Sequence, residues 1–283
     1  MKQNERECFS ELESFSSWLE KHNKTENTIK TYKGVLHSFY KWMLLKNEYI
    51  DELSKEHLQA YIHHLEVEGK SASTIGKTLA AFSLFAHFIE KPSLVHGIEV
   101  RSSSNHKETM PEHLDHEERE KLLASVKKDG NLRDIAIVYI LLHTGIRVSE
   151  LCHLDRGDVI QDEIGSGLIV RGQKGEIKRT IPLSKEAGEH VNRYLSRIIR
   201  HQEALFLSNI GQRMTTRAVQ YMLKKYDVNP HKLRHTFCYE LVHKGVDLAT
   251  VAQLAGHSDI NVTKRYASLA SANLKEAINR VFA

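Results

Sequence analysis

The run LRDIAIVYILLHTGIRVSEL, residues 132–151, decides how the second half of this chain folds. From Leu132 to His143 apolar residues fall on nearly every helical face, and Ile135 to Leu142 is the longest wholly apolar run in the sequence. A helix that is apolar all round has no face to give to water, so it belongs at the centre of a large domain. The run is also far too short to cross a bilayer, which takes ~20 apolar residues. Thr144-Gly145 ends the helix, and just beyond that stop stands Arg147, with Glu150 three residues later. An arginine so placed is either a surface residue paired with Glu150 or a charge delivered to a site by the buried helix.

Outward from this run the pattern is mostly helical. On the carboxy-terminal side, residues 167–182 change period: Leu168, Ile169 and Val170, a turn over Gly172 to Glu176, then Thr180 and Ile181 read as a β-hairpin. Helices resume at Lys185 and continue with short breaks. The segment Leu274 to Phe282 places Leu274, Ala277, Ile278 and Val281 on one face, to dock on a neighbouring copy or on its own domain. On the amino-terminal side, Asp115 with Glu118 is a capping signal for a helix to about Lys127. Before it, RSSSNHKETM (101–110) is polar and without apolar periodicity, as in an extended linker. From Phe9 to Glu90, Phe15, Trp18 and Leu19, then Ile29, Tyr32, Leu36, Phe39 and Tyr40, recur at helical intervals, and about four helices are expected. The expected fold is mainly α: a helical bundle over 1–100, a linker over 101–112, and a mixed, mostly helical domain with a small β-sheet over 113–283.

With 283 residues, 41% hydrophobic and 27% charged, the chain is globular, with room for two cores at about 150 residues per domain. Met1 to Phe9 lacks the apolar stretch of a secretory signal, and three scattered cysteines make no disulfide framework, so the cytoplasm is the expected compartment. The formal charge of +4 says little by itself, but residues 1–100 carry a net −2 and residues 101–283 a net +6. Within the acidic half, Lys21 to Lys46 holds six lysines against one acid, Glu26, interleaved with aromatics. Lys30, Lys33 and Lys41 on that helix are candidates to face phosphates; an ordinary solvated lysine face is the alternative.

Four short segments of the second half carry chemistry: TGIRVSEL (144–151), GQKGEIKRTIP (172–182), HKLRH (231–235) and AGHSDINVTKRY (255–266). Singly, each has a bland reading. Lys174 could be a solvated turn lysine and Tyr266 a half-buried aromatic. His231 and His235 are spaced like half a zinc site, but no Glu lies between them and no second pair completes it, so no metal is expected. Together, in this order, the four segments resemble the tyrosine recombinase family, also called the phage integrase family. The resemblance covers residues 111–283 and extends more loosely to NTIKTYKGVLHSFYKWM (27–43), which is similar to the start of the family's core-binding domain. Arg147, Lys174, His231, Arg234, His257 and Tyr266 match its catalytic set, and Glu150 matches the acid that accompanies the first arginine. Ile146 and Ala255 depart from the commoner leucines without touching the chemistry.

The resemblance implies a metal-free, cofactor-free site-specific recombinase of the simple two-domain, Xer-like or transposon-resolvase type. Those residue types suit the task. Arginines present planar forks that fit phosphate oxygens and stay charged at any working pH. A tyrosine, with a reference pKa of ~10, needs a base, for which His231 is the candidate, and Lys174 is by resemblance the acid for the leaving 5′-oxygen. His257 would donate to the phosphate, and Glu150 would orient its neighbours. The implied partner is double-stranded DNA carrying short core sites, gripped between the two domains and bound by four copies of the chain. Lys70, Ser71, Ser73 and Lys77, with Arg213, Thr215, Thr216 and Arg217, are candidates for groove contacts. A type IB topoisomerase uses the same residue set but rejoins the same strand after swivelling, and a DNA-binding regulator without chemistry is the alternative of another class.

Overall fold

The computed structural model describes residues 2–48, 53–101, 111–161, 166–172, 175–197, 202–257 and 259–270. The linker serines, Lys174 in the hairpin turn and the segment Leu274 to Phe282 lie outside them. The chain divides into two compact units, Met1–Lys107 and Glu108–Ala283.

The first unit holds four helices, α1 (Lys2–Lys21), α2 (Glu26–Leu45), α3 (Lys55–Val67) and α4 (Ala72–Phe88), followed by a 3-10 turn at Pro92–Val95. The helix starts are written locally: the hydroxyls of Thr25 and Ser71 accept the N–H groups of Thr28 and Thr74. The buried side of the bundle is largely aromatic. Phe39 meets Phe82 edge-on at 4.9 Å and Phe15 meets Phe85 at 5.4 Å, with Leu19, Leu36 and Ile62 filling between them.

In the second unit, α5 (His116–Asp129) opens on the reciprocal Asp115–Glu118 capping pair, and Gly130 in the left-handed conformation stops it. Helix α6 (Leu132–Thr144) is the central element: every residue from Ile135 to Leu142 is buried. Gly145 ends it at φ +59°, and a Cβ there would come within 2.4 Å of Phe237 Cδ1, so only glycine makes this turn. After it come a short helix, α7 (Val148–His153), a 3-10 turn at Arg156–Asp158 and strand β1 (Val159–Gln161). Strands β2 (Ser166–Arg171) and β3 (Ile177–Pro182) form the hairpin, with Leu168 opposite both Ile181 and Val159 in an antiparallel sheet of order β1-β2-β3. Leu168, Val170 and Ile181 point into the core around α6. The remaining helices are α8 (Lys185–Leu195), α9 (Thr216–Lys224), α10 (Pro230–His243), α11 (Leu248–Ala255) and α12 (Asn261–Ala270). The fold is mainly α with one small sheet; β1 and α7 are additions to the sequence reading, each too short to show a period.

A single side chain ties the entry of this unit to its centre. Thr236, buried on α10, accepts the Leu114 N–H at 2.8 Å and donates to the Lys232 carbonyl at 2.8 Å, so both halves of its hydroxyl are used. Among the described residues no helix is long and apolar enough to cross a membrane.

Candidate active site

The carboxy-terminal end of α11 is where the charged side chains meet. Gly256 stops that helix at φ +71°, and the carbonyls of Leu254, Ala255 and Gly256 emerge unpaired by the helix. Three arginines from three different elements take them. Arg179 on β3 donates to Leu254 O at 2.9 Å and Ala255 O at 3.3 Å. Arg234 on α10 donates to Ala255 O at 2.7 Å and also to Gly145 O. Arg147, at the start of α7, donates to Gly256 O. Cations at a helix carboxy terminus answer the negative end of its dipole as well as its free carbonyls.

Among the described residues one carboxylate serves this cluster. Glu150 accepts from the Arg147 backbone N–H at 2.9 Å and its Nη1 at 3.2 Å, and from Arg179 Nη1 and Nη2 at 2.9 and 2.8 Å. Burial pushes the Glu150 carboxyl up, and the bonds from Arg179 and the Arg147 N–H outweigh it, leaving it below the usual carboxylate range. Three guanidinium groups against one carboxylate leave positive charge at this spot. Arg234, only 7% exposed, bears the consequence: burial and then the Arg147 charge lower its affinity for its proton, though a guanidinium stays charged at any working pH.

His257 follows Gly256, its Nδ1 2.8 Å from the hydroxyl of Thr263, which is fully buried. Burial, then Arg234 and Arg147, push the imidazole down to about 4, so it is neutral at physiological pH. Tyr266 on α12 is 2% exposed and packs with Cys238, Val251 and Ala255. Its hydroxyl contacts Nδ1 of His235. Burial raises the phenol above its ordinary value, and Cys238 adds to this while the Arg234 charge opposes it. His231 stands exposed in the first turn of α10, its ring 6.5 Å from that of His235. So Arg147, Arg234, Glu150 and the backbone leading to His257 are bonded together, Tyr266 lies against α10, and His231 sits one turn before the histidine that touches the tyrosine.

The residues proposed to hold DNA differ in how free they are. Lys30, Lys41, Lys77 and Arg217 are exposed. Lys33 is paired with Glu13 and Lys70 with Glu68 at 3.4 Å. Arg213 pairs with Asp155 at 2.6 Å and donates to the carbonyls of Cys152 and Leu154, so it caps the end of α7. Sequence reasoning missed Arg179 and His235. A signal for Arg179 existed: residues 179 and 181 share one face of β3, and Ile181 is buried, so a charge there must find a partner indoors.

Residues 112–273 match the model of the phage integrase family, and residues 12–93 match that of the phage integrase N-terminal SAM-like domain. Tyrosine recombinase XerA of Thermococcus kodakarensis is 30% identical over 276 residues, covering 94% of this chain and 93% of its own. Tyrosine recombinase XerD of Listeria monocytogenes is 30% identical over 271 residues (88% and 90%), and the TnP I resolvase of Bacillus thuringiensis is 29% identical over 277 (92% and 96%). Among solved structures, XerA recombinase aligns over 97% of this chain and 98% of its own with TM-score 0.52 at 25% identity. The fold is shared with XerH site-specific recombinase, in a post-cleavage complex with palindromic difH substrate, over 98% and 88% of the two chains with TM-score 0.73 at 22% identity. With matched models over both halves and relatives aligned along nearly the whole chain, the protein belongs to the phage integrase family of tyrosine recombinases.

Proposed function

We propose that this chain recombines duplex DNA at short specific sites, cutting and rejoining strands through a 3′-phosphotyrosyl intermediate on Tyr266. The observation that carries the reading is the bonding of Arg147 and Arg234 to one helix end beside His257, with Tyr266 packed against the helix that bears Arg234. A phosphodiester gains negative charge as it is attacked, and preorganised cations at that charge are the largest lever a protein has on the step. Arg147 and Arg234 hold the non-bridging oxygens. Neutral His257, held through Nδ1 at the Thr263 hydroxyl, carries its proton on Nε2 and donates it to the same phosphate.

Tyr266 Oη forms a bond to phosphorus as the bond to the 5′-oxygen breaks. The phenolic proton passes to a histidine of α10, His231 by the family pattern, and the departing 5′-oxygen takes a proton from Lys174. The 5′-hydroxyl of a partner strand then attacks the phosphotyrosine and releases Tyr266. One phosphate ester replaces another at each step, so joining needs no nucleotide triphosphate. Lys30 and Lys41 hold DNA phosphates, Lys77 and Arg217 reach into a groove, four copies act on two paired sites in the cytoplasm, and the exchange passes through a four-way junction. The tasks that fit are resolution of dimers or cointegrates and integration of an element.

The test uses a nicked duplex carrying a site selected for binding from a random-sequence pool. Wild-type protein should give a denaturant-resistant adduct without metal or ATP, and Tyr266→Phe should give none. Tight binding without an adduct would leave a DNA-binding regulator; an adduct together with relaxation of a supercoiled plasmid carrying the site, and no recombinant product, would leave a topoisomerase.

A further inference from the structure

Glu150 is shared by two arginines, but unequally. Arg179 holds both of its oxygens in a parallel fork at 2.8 and 2.9 Å, whereas the Arg147 side chain reaches only one, at 3.2 Å. The Arg179 side chain is 8% exposed and Glu150 14%, while Arg147 is 43% exposed. The buried fork is thus closed, whereas Arg147, whose Nη2 is held by Gly256 O, touches Glu150 more loosely and is the more exposed arginine. We propose that Arg179 is a positioning residue for strand cleavage: by occupying Glu150 it keeps the Arg147 guanidinium, anchored at Gly256 O, from closing on that carboxylate and so leaves its outward side to the scissile phosphate. This rests on the recombinase reading above.

The physical argument is competition for one anion. A carboxylate half-buried among cations is held most strongly by forked, charge-assisted bonds. If Arg179 loses its charge, Glu150 has Arg147 as its remaining near cation, and the looser 3.2 Å contact tightens at the expense of the phosphate. The local charge also changes. With all four side chains in place the cluster carries three positive charges against one negative, an excess of two; without Arg179 the excess is one; without both Arg179 and Glu150 it is two again. Arg179 has a further task at the same spot. Its guanidinium lies 2.6 Å from where a Cβ on Gly256 would stand, so the backbone leading to His257 is packed directly on it. Arg179 therefore joins the strand next to the Lys174 turn, the start of α7 and the end of α11.

The experiment compares adduct formation on the selected nicked duplex for wild type, Arg179→Gln, Glu150→Gln and the double variant, with DNA affinity and thermal melting measured alongside. Glutamine at 150 keeps an oxygen to cap the Arg147 N–H. Arg179→Gln should lower the cleavage rate by about 100-fold, the size of losing one transition-state donor, with little change in DNA affinity. The double variant should then be faster than Arg179→Gln by about tenfold or more, a coupling of the size found between contacting residues. A residue needed only for folding predicts the reverse, a double variant no faster than Arg179→Gln, and that result would overturn the proposal. Should Arg179→Gln not fold, Glu150→Leu with Arg179→Met replaces the whole buried pair by apolar side chains, an exchange that is often neutral for stability. That pair, folded, should still form adduct; a folded pair as inactive as Arg147→Gln would also overturn it. Failure of the wild type to form any adduct would instead sink the recombinase reading.

Discussion

The Tyr266 hydroxyl rests on Nδ1 of His235, one turn along α10 from His231. The two histidines are therefore separable by kinetics. His231→Ala should slow adduct formation by about 100-fold or more, as loss of a general base does. His235→Ala should stay within about tenfold in rate while losing roughly 1 kcal/mol of stability with the buried hydrogen bond. Single-turnover cleavage and urea melts on both variants check this, and the opposite ranking would move the base to His235.

The turn after α11 has a built-in control in the turn after α5. Gly256 and Gly130 both lie in the left-handed region, at φ +71°, ψ 44° and φ +72°, ψ 3°, but a Cβ at Gly130 meets nothing within 4 Å, whereas at Gly256 it meets the Arg179 guanidinium at 2.6 Å and Arg147 Nη1 at 3.2 Å. Both alanine variants should lose about 1–2 kcal/mol from the left-handed backbone. Gly256→Ala should in addition lose adduct formation by about 100-fold, while Gly130→Ala keeps it. Equal activities would show that the arginines make room.

Acid should weaken the second unit through His257. Its folded value of about 4 lies below the ordinary ~6.5 of a histidine, so the unfolded chain takes up the proton first. The stability it contributes is complete above about pH 6.5 and is lost as pH falls towards 4. Burial lowers His235 and His143 in the same direction. Urea unfolding at pH 7 and pH 5 should show a smaller loss for His257→Gln than for wild type. An unchanged loss would assign the acid sensitivity to the other histidines.

Thr236→Val should cost roughly 1–3 kcal/mol, because it leaves the buried Leu114 N–H without its acceptor. Thr236→Ser keeps the oxygen and should lie close to wild type. Denaturant midpoints decide it, and a valine variant as stable as serine would mean that the Leu114 N–H finds another partner.

What the sequence made legible was set by local chemistry. The Asp115–Glu118 cap, the glycine stop at 145, and the hairpin strands each depend on neighbours a few residues away, so they could be read directly. Arg147, Arg234, His257 and Tyr266 were picked out by the family resemblance, and the fold brings both arginines to the helix end beside His257 with Tyr266 packed against α10. Arg179 was not, although it lies in a quoted segment: its partners are Glu150 and the carbonyls of 254 and 255, brought to it only by the packing of α7 and α11 against β3. Arg213 shows the same limit from the other side. Read along the chain it is a loop cation available to DNA; in the fold its donors are taken by Asp155 and the end of α7. The three residues of β1 become a strand because β2 offers them a register, not because Val159–Gln161 has a pattern of its own.

Helix α6 shows no face to water, and this shapes how the chain would respond to random change. A selection that scores recombination alone would find Ile137 and Arg147 equally intolerant. Counting the amount of protein in the same variants would part them, since a polar side chain at Ile137 removes the molecule through misfolding and turnover, whereas Arg147→Gln leaves it abundant and idle. The eight positions from Ile135 to Leu142 thus form a ledger of folding, and the record of chemistry opens only after Gly145.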